Sequence, residues 1–307
     1  MHLGEEMCFR AAKYLVTRRD KTIQRTFEPS VDHSRRVAGA NPATFDRAAY
    51  KNWRQSELTR QFDQNFTRES VRGKRVLDFG CGRGELSMYM ATLGVASIDG
   101  VDLTESDISS ARMLAQDEKL PVAPTFAVGS SDAIPFPDGK FDLILCFDVL
   151  EHVMSIEVII KEWRRILAKG GRIYIWWQPY FHPYGHHLTA YIPLPWAHVL
   201  FSPKTIGVAC KRIFDMPDYV PRYWDLDEHG NKKNKVFTGT RDMGGVNCLT
   251  IAKFERLCKQ NDLRIVKRLG HHLSGQALVE TVSAIGTRLP FLREFLTAIM
   301  IYEIETR

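Results

Sequence analysis

"VLDFGCGRGEL", residues 76–86, decides how this chain is read. A short apolar run ends in glycines at alternate positions, Gly80, Gly82 and Gly84, and helix-forming residues follow. Small residues at such a strand-to-helix turn let backbone N–H groups approach a ligand at the crossover. A dinucleotide fingerprint needs its third glycine at position 85, which is Glu85 here. A carboxylate in the first helical turn repels a pyrophosphate that the helix N-terminus would otherwise attract, and Asp78 just before the glycines adds to that repulsion. A diphosphate cofactor is therefore disfavoured.

Outward from this turn the pattern alternates. The first strand (74–80) and its helix, closed by Gly94, lead to a second strand in "ASIDGVDL" and a helix in "ESDISSARMLAQDEKL". "PTFAVG" and "FDLILCFDV" read as strands three and four, "SIEVIIKEWRRILAKGG" as a helix with a glycine stop, and "RIYIWWQ" as strand five. Continuous apolar runs in strands four and five are those of sheet centres covered on both faces. Strand alternating with helix predicts a parallel, doubly wound α/β sheet. Residues 1–43 read as a poorly patterned basic leader and 45–66 as one or two amphipathic helices. From Pro179 to Asn247 the periodicity dissolves into Pro, His, Gly and aromatic clusters with one helix at 202–214, which predicts a lid insertion. Helix, strand and a final strand then return.

S-adenosylmethionine carries a sulfonium, an ammonium, a ribose diol and an adenine amine, and no phosphate, so carboxylates suit each of its groups. Asp78, Glu85, Asp102 and Asp132 stand at or near the carboxyl ends of successive strands. Asp102 closes strand two at about the offset where an acid accepts ribose hydroxyls, and Asp132 is placed to accept from the adenine amine. Residues 74–178 resemble the class I S-adenosylmethionine-dependent methyltransferases of the small-molecule, ubiquinone-biosynthesis-like type. "VLDFGCGRG", "GVDLTESDIS", "SDAIPFPDGKFDLILCFDVLEHV" and "RILAKGGRIYI" match that family's motifs in order. The resemblance implies a seven-stranded, mostly parallel Rossmann-like sheet, its seventh strand antiparallel between five and six. It implies that Asp78, Gly80, Cys81, Gly82, Asp102, Leu103, Asp132, Ala133 and Asp148 line the cofactor, with Arg83 supplying loop backbone. It also divides the chain into a leader with capping helices (1–66), the cofactor-binding core (67–178), a lid and acceptor-binding insertion (179–247) and the rest of the core (248–307).

Methyl transfer from a sulfonium is an in-line displacement that needs alignment and desolvation, and a base only when the acceptor is protonated. In "DVLEHV", Asp148, Glu151 and His152 share one face if the turn is helical. In the resembling family an E-x-x-E-H version of this motif is linked to divalent metal; the first acid here is Asp148, and no metal is assigned. "YFHPYGHHL" (180–188) adds His182, His186 and His187, with Pro183 and Gly185 breaking helical spacing. The catalytic candidates are His152, His182, His186 and His187, inside an aromatic-rich segment suited to a planar or apolar acceptor.

The chain has 307 residues, and a 44% hydrophobic content is enough for one large or two ordinary domains. Six scattered cysteines without a C-x-x-C pair indicate reduced thiols and a cytoplasmic setting. No apolar run is long enough to span a bilayer, so no stable membrane insertion is expected, although "YIPLPWAHVLF" could rest on a membrane surface. The net charge of +6 is modest, and its short basic runs are read as solvated faces rather than a nucleic-acid footprint. The expected function is methyl transfer to an O or N of a small aromatic or apolar metabolite. The rivals are an RNA or protein methyltransferase and a non-catalytic binder on the same scaffold. Oligomeric state is not readable.

Overall fold

The computed structural model describes residues 3–18, 47–219, 225, 227, 229, 231–273 and 277–306. A seven-stranded sheet organises the core, with strand order β3-β2-β1-β4-β5-β7-β6. Its strands are β1 (Arg75–Phe79), β2 (Ser97–Asp102), β3 (Thr125–Val128), β4 (Phe141–Phe147), β5 (Leu167–Trp177), β6 (Leu263–His272) and β7 (Thr297–Thr306). β1 pairs in parallel with β2 and β4, as do β2 with β3 and β4 with β5, whereas β7 runs antiparallel to β5. The expected doubly wound α/β sheet is thus present, including its inserted antiparallel strand.

The helices among the described residues are α1 (Leu3–Arg18), α2 (Arg47–Asn65), α3 (Glu85–Ala91), α4 (Glu105–Asp117), α5 (Ile156–Ile166), α6 (Ala197–Leu200), α7 (Pro203–Phe214), α8 (Ile251–Gln260), α9 (Ala277–Gly286) and α10 (Pro290–Leu296). The chain forms two compact units. One comprises residues 51–178, 251–270 and 299–307, and the other residues 1–50, 179–250 and 271–298. The second collects the leader, the insertion and residues 271–298, a stretch expected to belong with the core.

In the sheet unit, side chains alternate across β4. Leu143, Leu145 and Phe147 join Leu58 and Phe62 of α2, and Phe66 just beyond its end, in one core, where Phe66 stacks on Tyr174 of β5 at 4.2 Å. Elsewhere in the unit Phe79 meets Trp163 edge to face at 5.3 Å, and Trp177 lies 5.9 Å from Phe254 of α8. The glycine stop expected after α5 is absent. α5 ends at Ile166 and β5 starts at once, with the register slipping between Phe141↔Leu167 and Leu143↔Arg172. The extra residues, including Gly170 at φ 74°, form a bulge, so the glycines serve the strand and not the helix.

In the other unit, α7 starts as expected, with Ser202 accepting from the Thr205 N–H at 3.2 Å. The patternless leader is corrected by α1, a 16-residue helix that buries Cys8 and Ala12 against Ile206, Ala209, Cys210 and Ile213. Its buried face is made of small residues while Leu3, Met7 and Tyr14 stand exposed, so apolar periodicity does not mark the inward side. The remainder of the leader, residues 19–46, lies outside the described residues.

Candidate functional site

The glycine loop leaves β1 and folds back over the end of β2. The Gly80 and Cys81 N–H groups both donate to the Val101 carbonyl, at 2.8 and 3.0 Å, and Gly84 N–H donates to Cys81 O at 2.8 Å. Gly80, Gly82 and Gly84 all have positive φ, 75°, 51° and 84°. Asp102, at the end of β2, accepts from Gly82 N–H through Oδ2 at 3.0 Å and from Thr104 N–H through Oδ1 at 2.9 Å. Both oxygens keep a second acceptor position. Gly129 N–H donates to Asp102 O at 2.9 Å and so brings the segment after β3 to the same place. There Ser130 Oγ donates to Asp132 Oδ1 at 2.8 Å and accepts from Ala133 N–H at 3.0 Å. Asp78, Gly80, Cys81, Gly82, Asp102, Asp132 and Ala133 are therefore gathered at the carboxyl edge of the sheet. Leu103, largely exposed, follows directly on Asp102.

Asp78 is buried in β1 and accepts from Ser87 Oγ of α3 at 2.6 Å. Burial pushes its carboxyl up to about 7, the Ser87 hydroxyl opposes the rise, and the charges of Glu85 and Asp102 add to it. Burial also raises Glu85. Burial and neighbouring acids thus disfavour the charged forms of Asp78 and Glu85 at this edge, a cost that a bound cation relieves.

After β4 the chain departs from the expectation. Asp148 has φ 60°, and only a 3₁₀ turn follows, Leu150–His152. Asp148, Glu151 and His152 therefore do not share a helical face: Glu151 is buried while His152 is exposed. Burial drives the Glu151 carboxyl well above its usual range, and the Asp148 charge reinforces the shift. Backbone N–H groups at Glu151 and Gln178 oppose that rise, yet neither Glu151 oxygen closes a hydrogen bond. Asp148 is held by Arg54 of α2, whose guanidinium donates to Asp148 Oδ2 at 2.8 Å and to Glu57 Oε2 at 3.0 Å. Sequence reasoning missed Arg54, Glu57 and Ser87. Only the i,i+3 spacing of Arg54 and Glu57 was visible there, and that spacing does not name the distant Asp148.

The loop histidines belong to the other unit and form a chain of turns. His182 and His186 are buried, and their Nδ1 atoms accept the backbone N–H groups of Tyr184 at 3.3 Å and Leu188 at 2.9 Å. Burial lowers His182 to about 3 and takes His186 well below its ordinary value. His186 packs edge-on to His198 at 5.3 Å, and His187 has φ 53°. Both buried rings are thus neutral near pH 7, each with a nitrogen committed to the loop backbone. Among the described residues no three His, Cys, Asp or Glu side chains are grouped as a metal site requires.

Residues 77–175 match the methyltransferase domain family. A ubiquinone biosynthesis O-methyltransferase of Pseudomonas aeruginosa is 32% identical over 154 residues, 48% of this chain and 63% of that protein. A norajmaline N-methyltransferase of Rauvolfia serpentina is 33% identical over 106 residues, 34% of this chain and 36% of that protein. The chain thus spans less than two thirds of the length of these curated relatives. An S-adenosylmethionine-dependent methyltransferase from Mesorhizobium loti superposes with a TM-score of 0.48 at 16% identity, over 83% of this chain and 97% of its own.

Proposed function

We propose that this chain, whose residues 77–175 are a methyltransferase domain on a class I seven-stranded sheet, transfers a methyl group from S-adenosylmethionine to an O or N atom of a small aromatic or apolar metabolite. One observation carries the reading: a left-handed glycine loop sits among the carboxylates of Asp78, Glu85 and Asp102, two of them raised by burial. A sulfonium and an ammonium relieve that charge, whereas a pyrophosphate aggravates it. A Cβ built on Gly82 meets nothing within 4 Å, so the backbone is open to close approach there. The residues present therefore fit the donor.

When bound, the donor supplies a methyl carbon already activated by its positive sulfur. The chain's part is to hold and align. Asp102 offers its spare acceptor positions to the ribose hydroxyls, Asp132 to the adenine amine, and Gly80, Cys81 and Gly82 line the loop beside Asp78. Leu103 and Ala133 present apolar surface, and Asp148, locked by Arg54, shapes the rim. His152, exposed on the turn after β4, is the general base we assign for a protonated acceptor. His182 and His186 are better suited to holding the loop, because burial makes their rings weak bases. His187 stays an acceptor-binding candidate. The names of the O- and N-methyltransferase relatives support a small-molecule acceptor. Buried thiols at Cys8, Cys81, Cys146 and Cys258 fit a reducing, cytoplasmic setting.

Calorimetry with S-adenosylmethionine, then a methyl-release assay over a panel of phenols and amines, tests the proposal. His152→Ala is expected to lower turnover at least tenfold with donor affinity unchanged. Full turnover in that variant removes the base assignment. Failure to bind the donor at all removes the function.

A further inference from the structure

Residues 129–140 join β3 to β4 and carry Asp132 and Ala133, the positions assigned to the adenine. Among the described residues no strand pairs with this segment, and Pro135 and Pro137 have no N–H to offer a neighbour. Its fastening comes from α5. Arg165, in the last turn of that helix, commits every guanidinium N–H here. Nε donates to Glu162 Oε1 at 2.8 Å, Nη2 to Glu162 Oε2 at 2.7 Å and to Ile134 O at 3.0 Å, and Nη1 to Phe136 O at 2.7 Å and to Asp138 Oδ1 at 2.8 Å. Glu162 Oε2 in turn accepts from Ile134 N–H at 3.0 Å. One bidentate ion pair thus holds both the N–H and the carbonyl of Ile134, whose side chain is buried. Gly139 N–H closes the far end on the Arg165 carbonyl at 3.0 Å. The Asp138 side chain is 81% exposed, so its pair with Arg165 adds little, and the bonds to the loop backbone make the grip.

Asp132 and Ala133 immediately precede Ile134, so the peptide gripped by α5 is the one that aims them. The bonds from Ser130 Oγ to Asp132 and from Ala133 N–H to Ser130 Oγ are internal to the turn and do not orient it against the sheet. We propose that Glu162 and Arg165 are positioning residues that make the site selective for a donor whose adenine carries its free amine, by fixing Asp132 and Ala133 before the donor arrives. The inference rests on the donor reading above. A loop ordered in advance spares the entropic cost of ordering it on binding, and a fixed carboxylate accepts from an amine but repels a carbonyl oxygen in the same place. Arg165 holds the Glu162 carboxyl below the usual carboxylate range, so the pair is charged at neutral pH.

Calorimetry of the full chain with S-adenosylhomocysteine and with S-inosylhomocysteine, in which a carbonyl replaces the adenine amine, reads this selectivity as a ratio of affinities without any methyl acceptor. The unaltered chain should prefer the adenosyl form about tenfold or more. Arg165→Ala should bring the ratio down to about twofold, and Glu162→Gln, which keeps an oxygen for the Ile134 N–H, should fall between. Arg75→Ala removes a comparable pair, with Asp142, at the opposite end of β1 from the glycine loop, and should leave the ratio intact. Circular dichroism reads whether each variant is folded; should Arg165→Ala not fold, Glu162→Gln decides alone. A ratio that both clasp variants leave unchanged overturns the proposal, even if both ligands bind more weakly, since equal weakening marks a merely structural role. No adenosyl preference in the unaltered chain overturns it too. Binding of neither ligand by the unaltered chain removes the donor reading itself, and this inference with it.

Discussion

A methyl group added at Gly80 would stand 2.4 Å from Val149 Cγ1, on a backbone already at φ 75°. At Gly82 it would meet nothing within 4 Å. The two glycines consequently serve different ends, one for packing and one for access. Gly80→Ala should cost about 2–4 kcal/mol in urea unfolding, because clash and left-handed strain add. Gly82→Ala should cost only about 1 kcal/mol, from strain alone, yet weaken donor binding by calorimetry about tenfold or more. Asp78 makes the site sensitive to pH. Its folded value of about 7 lies above the ordinary carboxyl value, so the stability it contributes is complete below about pH 4 and is lost as pH rises through about 7. A cation bound beside it reverses the preference. Donor affinity should thus climb from about pH 6 to about pH 8, with proton release in calorimetry, and Asp78→Asn should flatten that climb. The acids at positions 78 and 102 were legible as a pocket for positive charge. The protonation state of Asp78 was not, since it depends on burial and on Ser87.

At the scale of elements, α2 is fastened to the end of β4 through Arg54, with part-exposed ion pairs to Asp148 at 2.8 Å and Glu57 at 3.0 Å. Burial raises Glu57 and Arg54 restrains that rise. Arg54→Ala should cost about 1 kcal/mol near pH 8 and less near pH 5, where Glu57, raised by burial, begins to protonate and its pair with Arg54 weakens; chemical denaturation at the two values reads the difference. The helical face expected for "DVLEHV" failed for a local reason, a left-handed Asp148, and no spacing rule foresees a left-handed aspartate. Strands four and five were readable because they are buried on both faces. The start of β5 was not, because "LAKGG" reads as a helix end and becomes a bulge only through pairing with β4. Helix α1 was hidden for a related reason, burying Cys8 and Ala12 rather than its larger apolar residues.

For the whole molecule, the acid-lined edge predicts a ligand preference that needs no knowledge of the acceptor. S-adenosylmethionine at about a hundred times its dissociation constant should stabilise the fold by about 2.7 kcal/mol, a rise of several degrees in thermal unfolding. A nicotinamide dinucleotide should produce none, and the reverse outcome would overturn the charge argument. From sequence alone this chain determined its sheet, the place of its glycine loop and the sign of the charge around it. The parallel, doubly wound character follows from the alternation of strand and helix, the inserted antiparallel strand from the family resemblance, and acids can be counted along a chain. Tertiary structure alone decided that Glu151 turns inward while His152 faces out, that Arg54 reaches Asp148, and that His182 and His186 are neutral turn-builders. Each of these depends on which groups lose their water and which distant partner stands within about 3 Å, and one-dimensional spacing carries neither quantity.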